Sequence, residues 1–172
     1  MKHTLIFVAI STLLAACSDK PSEKHAAALP TAAPAYLKAE AAPPVSLPVT
    51  LVPTDTCFID AINEQLAKEA NPIADKTKVK FEGWAADVAT GTTAQEIYIE
   101  LEGAAKFYIK ANPGIKRLDV ATAFNKPSLE NAGWLSFADL SALGAGSYKM
   151  RVIQVNGTSG FVCDAKPIID IN

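Results

Sequence analysis

From Thr56 onward, apolar and polar residues alternate in short runs broken by turn residues, the period expected of strands with one buried face. Val79, Phe81, Gly83 and Ala85 alternate with Lys78, Lys80, Glu82 and Trp84, which predicts a strand. Ile97, Ile99 and Leu101 alternate with Tyr98, Glu100 and Glu102. After Gly103 the alternation resumes from Lys106 to Lys110 through Phe107 and Ile109, so these two runs predict a hairpin. A second hairpin is predicted where residues 147–155 and 160–163 flank Asn156-Gly157, a pair that tolerates positive φ. A last strand, 168–171, follows Pro167. Helix is expected only as single turns: Asp119 can cap one through Phe124, and Asp139 another through Leu143. Residues 58–70 fit either a helix, through Phe58, Ile62 and Leu66, or a first strand. We prefer a strand ending near Asn63, then a short helical or irregular excursion to Asn71.

These runs predict a mostly-β fold, a single antiparallel immunoglobulin-like β-sandwich of seven or eight strands with one or two short helical turns. The chain before it reads differently. Between Ser18 and Asp55 lie seven of the eleven prolines and none of the nine glycines, with runs such as Ala41-Ala42-Pro43-Pro44. Such composition favours extended polyproline-like chain over a packed core, so a disordered Ala/Pro-rich tether is expected ahead of the fold.

The first residues have signal-peptide anatomy: a polar start at Lys2 and His3, an apolar run from Thr4 to Leu14, then small residues. That run would rise about 17 Å as a helix, well short of the roughly 30 Å hydrocarbon core, so a permanent transmembrane helix is the poorer reading. Leu14-Ala15-Ala16-Cys17 resembles the lipobox of a bacterial lipoprotein. The resemblance implies cleavage before Cys17 and acylation of that cysteine through diacylglycerol and palmitate. Ser18, where an aspartate would retain a lipoprotein at the inner membrane, points to the outer membrane. The implied organisation is a signal peptide at 1–16, a lipidated linker at 17–55 and the β-sandwich domain at 56–172.

With Cys17 acylated, Cys57 and Cys163 remain, and export to an oxidising periplasm predicts that they pair. Such a bond would close a loop of about a hundred residues, with an entropic effect of about 4 to 5 kcal/mol.

In the folded part, Ile59-Asp60-Ala61-Ile62, Gly83-Trp84-Ala85-Ala86-Asp87, Arg117-Leu118-Asp119-Val120, Ala132-Gly133-Trp134 and Gly146-Ser147-Tyr148 follow one another. The series resembles a bacterial Ig-like β-sandwich module of the Gly-Trp-Ala-x-Asp and Arg-x-Asp-Val type, found in envelope and glycosyltransferase-associated proteins. This chain departs from it by a longer insert at 64–76 and by lacking an attached catalytic domain. The resemblance therefore implies a fold and leaves the role open.

Physically, Gly83 lets a backbone or ring approach closely, while Trp84 and Trp134 are large enough to anchor a core or to stack on a ligand. Arg117, one of only two arginines, would lie on one side with Asp119 if the chain there is extended, and an internal bidentate salt bridge or a cap is expected in preference to a recognition site. Asp60 and Asp87 are further candidate carboxylate partners.

The only histidines, His3 and His25, precede the fold, so a Ser-His-Asp triad, a Cys-His pair and a histidine-rich metal site are not expected within it. No glycine-rich phosphate loop occurs. We expect no catalytic residues, no metal and no cofactor. Charge is near balance, at −2 for the whole chain, with Lys and Glu interspersed, so nucleic acid is not an expected partner. Three functions stay open. The first is a membrane-anchored, non-catalytic binding or adaptor module for an envelope protein or a glycan. The second is a carbohydrate-active enzyme using paired carboxylates from Glu82, Asp87, Glu100, Glu102, Asp119 and Glu130, although surface alternation accounts for Glu82, Glu100 and Glu102 as solvated. The third is a structural envelope lipoprotein.

Overall fold

A computed structural model describes residues Ala33–Asn172. The fold is mostly β. Its strands are β1 (Leu37–Lys38), β2 (Val52–Thr54), β3 (Cys57–Ile62), β4 (Gln65–Leu66), β5 (Ala70–Ile73), β6 (Val79–Asp87), β7 (Thr92–Thr93), β8 (Glu96–Glu102), β9 (Lys106–Ile115), β10 (Gly133–Asp139), β11 (Gly146–Asn156) and β12 (Ser159–Ile171). Between β9 and β10 stand helix α1 (Leu118–Ala123) and a 3-10 turn (Pro127–Asn131).

The main strand order is β2-β12-β11-β8-β9-β10-β6-β3-β4, with β1 on β10, β5 on β12 and β7 on β6. The sheet curls because β9 serves both halves. Its first part pairs with β8, from Ile97↔Ala111 to Glu102↔Lys106, and its end pairs with β10 through Asn112, Pro113 and Ile115. At that corner Gly114 holds φ +93, a conformation side chains oppose, and the β10 register shifts at Gly133/Trp134.

Inward residues of the two halves meet in one core. Ile59, Val79, Phe81 and Trp134 come from one half, and Ile99, Ile109, Met150, Val152 and Ile169 from the other. Cys57 of β3 and Cys163 of β12 form a disulfide within this core, with their Cα atoms 6.1 Å apart. The expected bond is present, and it ties one half of the sheet to the other.

Several expectations need correction. Twelve strands form rather than seven or eight, because short edge segments add to the ladder. Three of the pairings, β1·β10, β2·β12 and β5·β12, are parallel, so the sheet is mixed rather than antiparallel throughout. The excursion after Asn63 is not helical: Asn63 and Glu64 both hold positive φ and turn β3 tightly into β4, and only 67–69 are irregular before β5. The β11–β12 turn centres on Gly157-Thr158, one residue later than expected, with Asn156 paired to Ser159. β12 runs unbroken through Pro167, which sits where the β11–β12 register shifts, a position that tolerates a missing N–H. Asp119 does not cap α1. Arg117 occupies the cap position, and Asp119 lies within the first turn. After Asp139 there is only a turn, in which its carboxylate accepts from the Ser141 N–H at 2.9 Å.

The expected tether also differs over its described part. β1 pairs with β10, Glu40 exchanges backbone hydrogen bonds with Tyr108, Ala39 is buried, and β2 pairs with β12. Between these anchors Leu47 and Leu51 pack on Tyr98, Ile153, Val155 and Val162, which form an apolar patch on the outer face of β8, β11 and β12. Burial of that patch holds a proline-rich segment against the sheet, because strands apolar on both faces need cover on both. Residues 1–32, including the expected signal peptide and Cys17, lie outside the described residues.

Candidate functional site

Arg117 follows the β9 corner and lies over Gly133, where a Cβ would come within 2.8 Å of its Cγ. The missing side chain lets the arginine stem cross the sheet toward β3. Its guanidinium then bridges two acids. Nε and Nη2 donate to the two carboxylate oxygens of Asp119 at 2.9 and 2.7 Å, and Nη1 donates to Asp60 Oδ2 at 2.6 Å. This bidentate fork plus a third bond suits the planar geometry of arginine.

The two acids are placed unequally. Hydrogen bonding from Arg117 holds the exposed Asp119 carboxyl well below its ordinary range, at about 2. Burial pushes the Asp60 carboxyl up, against the opposing pull of Arg117. The Arg117 guanidinium is pushed further toward its charged form, first by its bond to Asp119. Asp87 is not a partner of Arg117: its carboxylate instead accepts from the Thr90 hydroxyl at 2.7 Å and from the Ala89 N–H at 3.0 Å, closing the turn after β6.

Around Arg117 the register assembles apolar side chains. Phe58 pairs with Trp84 across β3 and β6, Trp84 with Gly133 across β6 and β10, and Gly133 with Ile115 of β9. Phe58, Ile115, Leu118 and Phe124 are all exposed, four of the large apolar side chains that face solvent. Trp84 is half-buried beneath them, with its ring 5.6 Å from that of Phe124 and packed against the small cluster of Ala86, Val120, Leu129 and Ala132. Trp134 is in the core at 1% exposure, its ring lying across Gly83. The two tryptophans therefore separate: Trp134 is enclosed in the core, and Trp84 is partly exposed, with its ring next to Phe124.

Glu100 was expected to be solvated, yet its side chain is 4% exposed. Arg151 of β11 pairs with it, and Lys106 Nζ lies 3.1 Å from Oε1. The neighbouring Tyr108 hydroxyl is pushed up by burial and by the Glu100 charge. Alternation placed Glu100 correctly on the outer face; what it missed is that this face is itself covered.

The six carboxylates considered for paired acid chemistry all have internal partners. Lys80 lies 3.0 Å from Glu82, Lys106 lies 3.5 Å from Glu102, Lys116 lies 2.6 Å from Glu130, and Asp87, Glu100 and Asp119 are bonded as described. Among the described residues no group of three or more His, Cys, Asp or Glu is placed to hold a metal ion, and no helix is long and apolar enough to cross a membrane.

A second concave feature lies under the proline-rich segment. A cavity of about 520 Å³ is lined by Lys38, Pro43, Pro44, Tyr98, Tyr108 and Lys110 among others. At its floor the Ser46 and Tyr98 hydroxyls are 2.8 Å apart, Tyr98 donates to Glu96 at 2.5 Å, and Lys110 Nζ lies 3.1 Å from the same carboxylate.

No family model, no curated protein and no solved structure matches this chain.

Proposed function

We propose that this chain is an envelope lipoprotein whose folded part acts as a non-catalytic binding or adaptor module for a protein or glycan partner. The observation that carries the reading is the face around Arg117, where Phe58, Ile115, Leu118 and Phe124 stand exposed around a rigidly held guanidinium. Several exposed large apolar side chains near an ordered arginine are the composition of an interaction hot spot. The engagement of Glu82, Glu100, Glu102, Asp119 and Glu130 by Lys or Arg supports binding over acid-base chemistry, since a carboxylate so paired is a poor proton donor at neutral pH.

In this proposal Cys17 carries the lipid, attached after cleavage of the 1–16 signal peptide, and the protein resides at the outer membrane. Acyl chains add about 0.8 kcal/mol per buried methylene, so several on one cysteine anchor durably. We also read the curled sheet as an immunoglobulin-like sandwich. A disulfide between opposing halves, with Trp134 in the same core, supports that finer description.

The test is capture from living cells. The tagged lipoprotein, crosslinked in place, is expected to retrieve one envelope component reproducibly, and a Phe58→Ala/Leu118→Ala variant to lose it. Retrieval of abundant background alone would reject the reading. Glycan turnover abolished by a single Asp or Glu substitution would replace it with the carbohydrate-active alternative.

A further inference from the structure

Residues 36–51 lie on the sheet as a bound peptide would. Leu37 and Lys38 add as a parallel strand to β10, pairing with Ala138 and Asp139, and Glu40 exchanges both backbone hydrogen bonds with Tyr108 at 3.0 and 2.8 Å. From Pro43 to Pro48 the contact changes character. There is one internal backbone bond, a turn from Leu47 N–H to the Pro44 carbonyl, and the seat is made by side chains: Leu47 and Leu51 pack on the apolar patch, and Pro43 and Pro44 line one cavity with Tyr98 and Tyr108. The sheet is shaped for this occupant. At Gly160 a Cβ would come within 2.6 Å of Leu51 Cδ2 and 2.9 Å of Pro48 Cγ, so the absent side chain makes room for the segment. Strand addition is a general mode of peptide recognition, and here it is followed by a turn that seats Leu47 on apolar side chains.

The outward side of the segment is unusual as well. Val45 and Val49 are fully exposed, and Ser46 is the one side chain of the central stretch that hydrogen-bonds to the sheet. The segment is held by a shallow apolar seat and short ladders at its ends.

We infer that the end of β10, Tyr108 of β9 and the outer face of β8, β11 and β12 form a binding groove for a proline-rich segment that enters as a strand and then turns, that residues 36–51 are its occupant in cis, and that the same segment of a second copy can take its place. The inference names a partner for the adaptor reading proposed above and rests on it. A second copy carries the matching segment by construction, and copies confined to one membrane are concentrated in two dimensions. A joined segment has an effective concentration in the millimolar range, so in an isolated molecule the cis occupant prevails over dilute peptide.

Two arms test this. In the first, a fluorescently labelled peptide of residues 36–51 is titrated against the native chain and against a Leu47→Asp/Pro48→Asp variant, whose own segment cannot seat while the groove residues remain unchanged. The variant is expected to bind the peptide at least tenfold more tightly than the native chain. Equal binding, or none to a variant that retains its disulfide and near-ultraviolet dichroism, overturns the inference. In the second arm, which stands even if the variant does not fold, two differently tagged native copies are co-expressed in one membrane and crosslinked. Each is expected to retrieve the other, and excess unlabelled peptide to reduce that retrieval at least tenfold; retrieval that is absent, or unchanged by peptide, overturns the inference. Neither failure touches the capture of another envelope component through the Arg117 face, so the two readings fall separately.

Discussion

Gly83 offers the sharpest test of the packing. It pairs with Ile59 on one side and Trp134 on the other, and it points inward from β6. A Cβ added there would meet the Phe58 backbone oxygen at an impossible separation and would lie 2.5 Å from Trp134 Cζ2 and 2.9 Å from Cε2. Neither neighbour gives easily. The Phe58 carbonyl belongs to a paired strand fixed at Cys57 by the disulfide, and the Trp134 ring is enclosed by the core. Gly83→Ala must therefore part β3 from β6 or expel the indole, and overpacking of this kind costs about 3 kcal/mol. For a domain with a total stability of about 7 to 15 kcal/mol, that loss lowers the urea midpoint by about 1.5 to 2 M at an ordinary slope. Unfolding followed by tryptophan fluorescence, with the disulfide kept oxidised, measures it. Gly144→Ala is the control: nothing lies within 4 Å of a Cβ at that position, so its midpoint should move by less than about 0.5 kcal/mol equivalent. A Gly83→Ala midpoint within 0.5 M of the native one, about 1 kcal/mol, would refute the placement of Trp134 over Gly83.

The remaining expectations concern charge and covalent linkage. Arg151→Met should destabilise by about 3 kcal/mol by leaving buried Glu100 to Lys106 alone, whereas Glu100→Gln/Arg151→Met should cost far less, giving a coupling of at least about 1.5 kcal/mol in a double-mutant cycle; additive costs would show that the pair is not coupled. Cys57→Ser/Cys163→Ser should lower stability by about 4 kcal/mol, and reductant should bring the native protein to the same urea midpoint; an unmoved midpoint would mean that the bond does not restrain the unfolded chain. Asp119 is held at about 2 when folded, below its unfolded value of about 3.9, so its stabilising contribution is complete above about pH 4 and is lost as pH falls toward 2. Asp60, pushed up by burial, contributes with the opposite slope, so the comparison to make is native against Asp119→Asn. Their stability difference should shrink between pH 4 and 2, and a constant difference would contradict the Arg117 bonding.

Local patterning made much of this fold legible. The alternation around Phe81, the paired runs of β8 and β9, and the glycine turn after Asn156 each reflect contacts close in sequence. The disulfide was legible for another reason, since setting Cys17 aside as the expected acylation site leaves one pairing of the remaining thiols. Arg117 with Asp119 followed from the scarcity of arginine and the geometry of its fork, whereas Asp60 stood level with Asp87 as a further partner until the pairing of β3 brought it to the guanidinium. The docked segment was not legible from its own residues. Alanine and proline describe how a chain behaves alone, whereas this one is held by Tyr98, Ile153 and Val155, far along the sequence. The available signal lay in β11, where Val152-Ile153-Gln154-Val155 is too continuously buried for a strand with one wet face. Glu100 escaped for a different reason, because Arg151 and Lys106 from neighbouring strands close over it. The Asn63-Glu64 turn escaped because glutamate seldom takes positive φ, and only the pairing of β3 with β4 holds it there.

The central claim is that the face around Arg117 meets a partner at the envelope while the lipid holds the chain in place. Site-resolved photocrosslinking in living cells tests it, with the probe placed in turn at Phe58, Leu118 and Phe124 and, as a comparison, at Thr77 and Lys78 beyond the other end of the fold. The account expects one discrete adduct, in the membrane fraction, from the first three positions and none from the last two. Equal or absent adducts at all five, or a chain recovered unacylated in the soluble fraction, would contradict it.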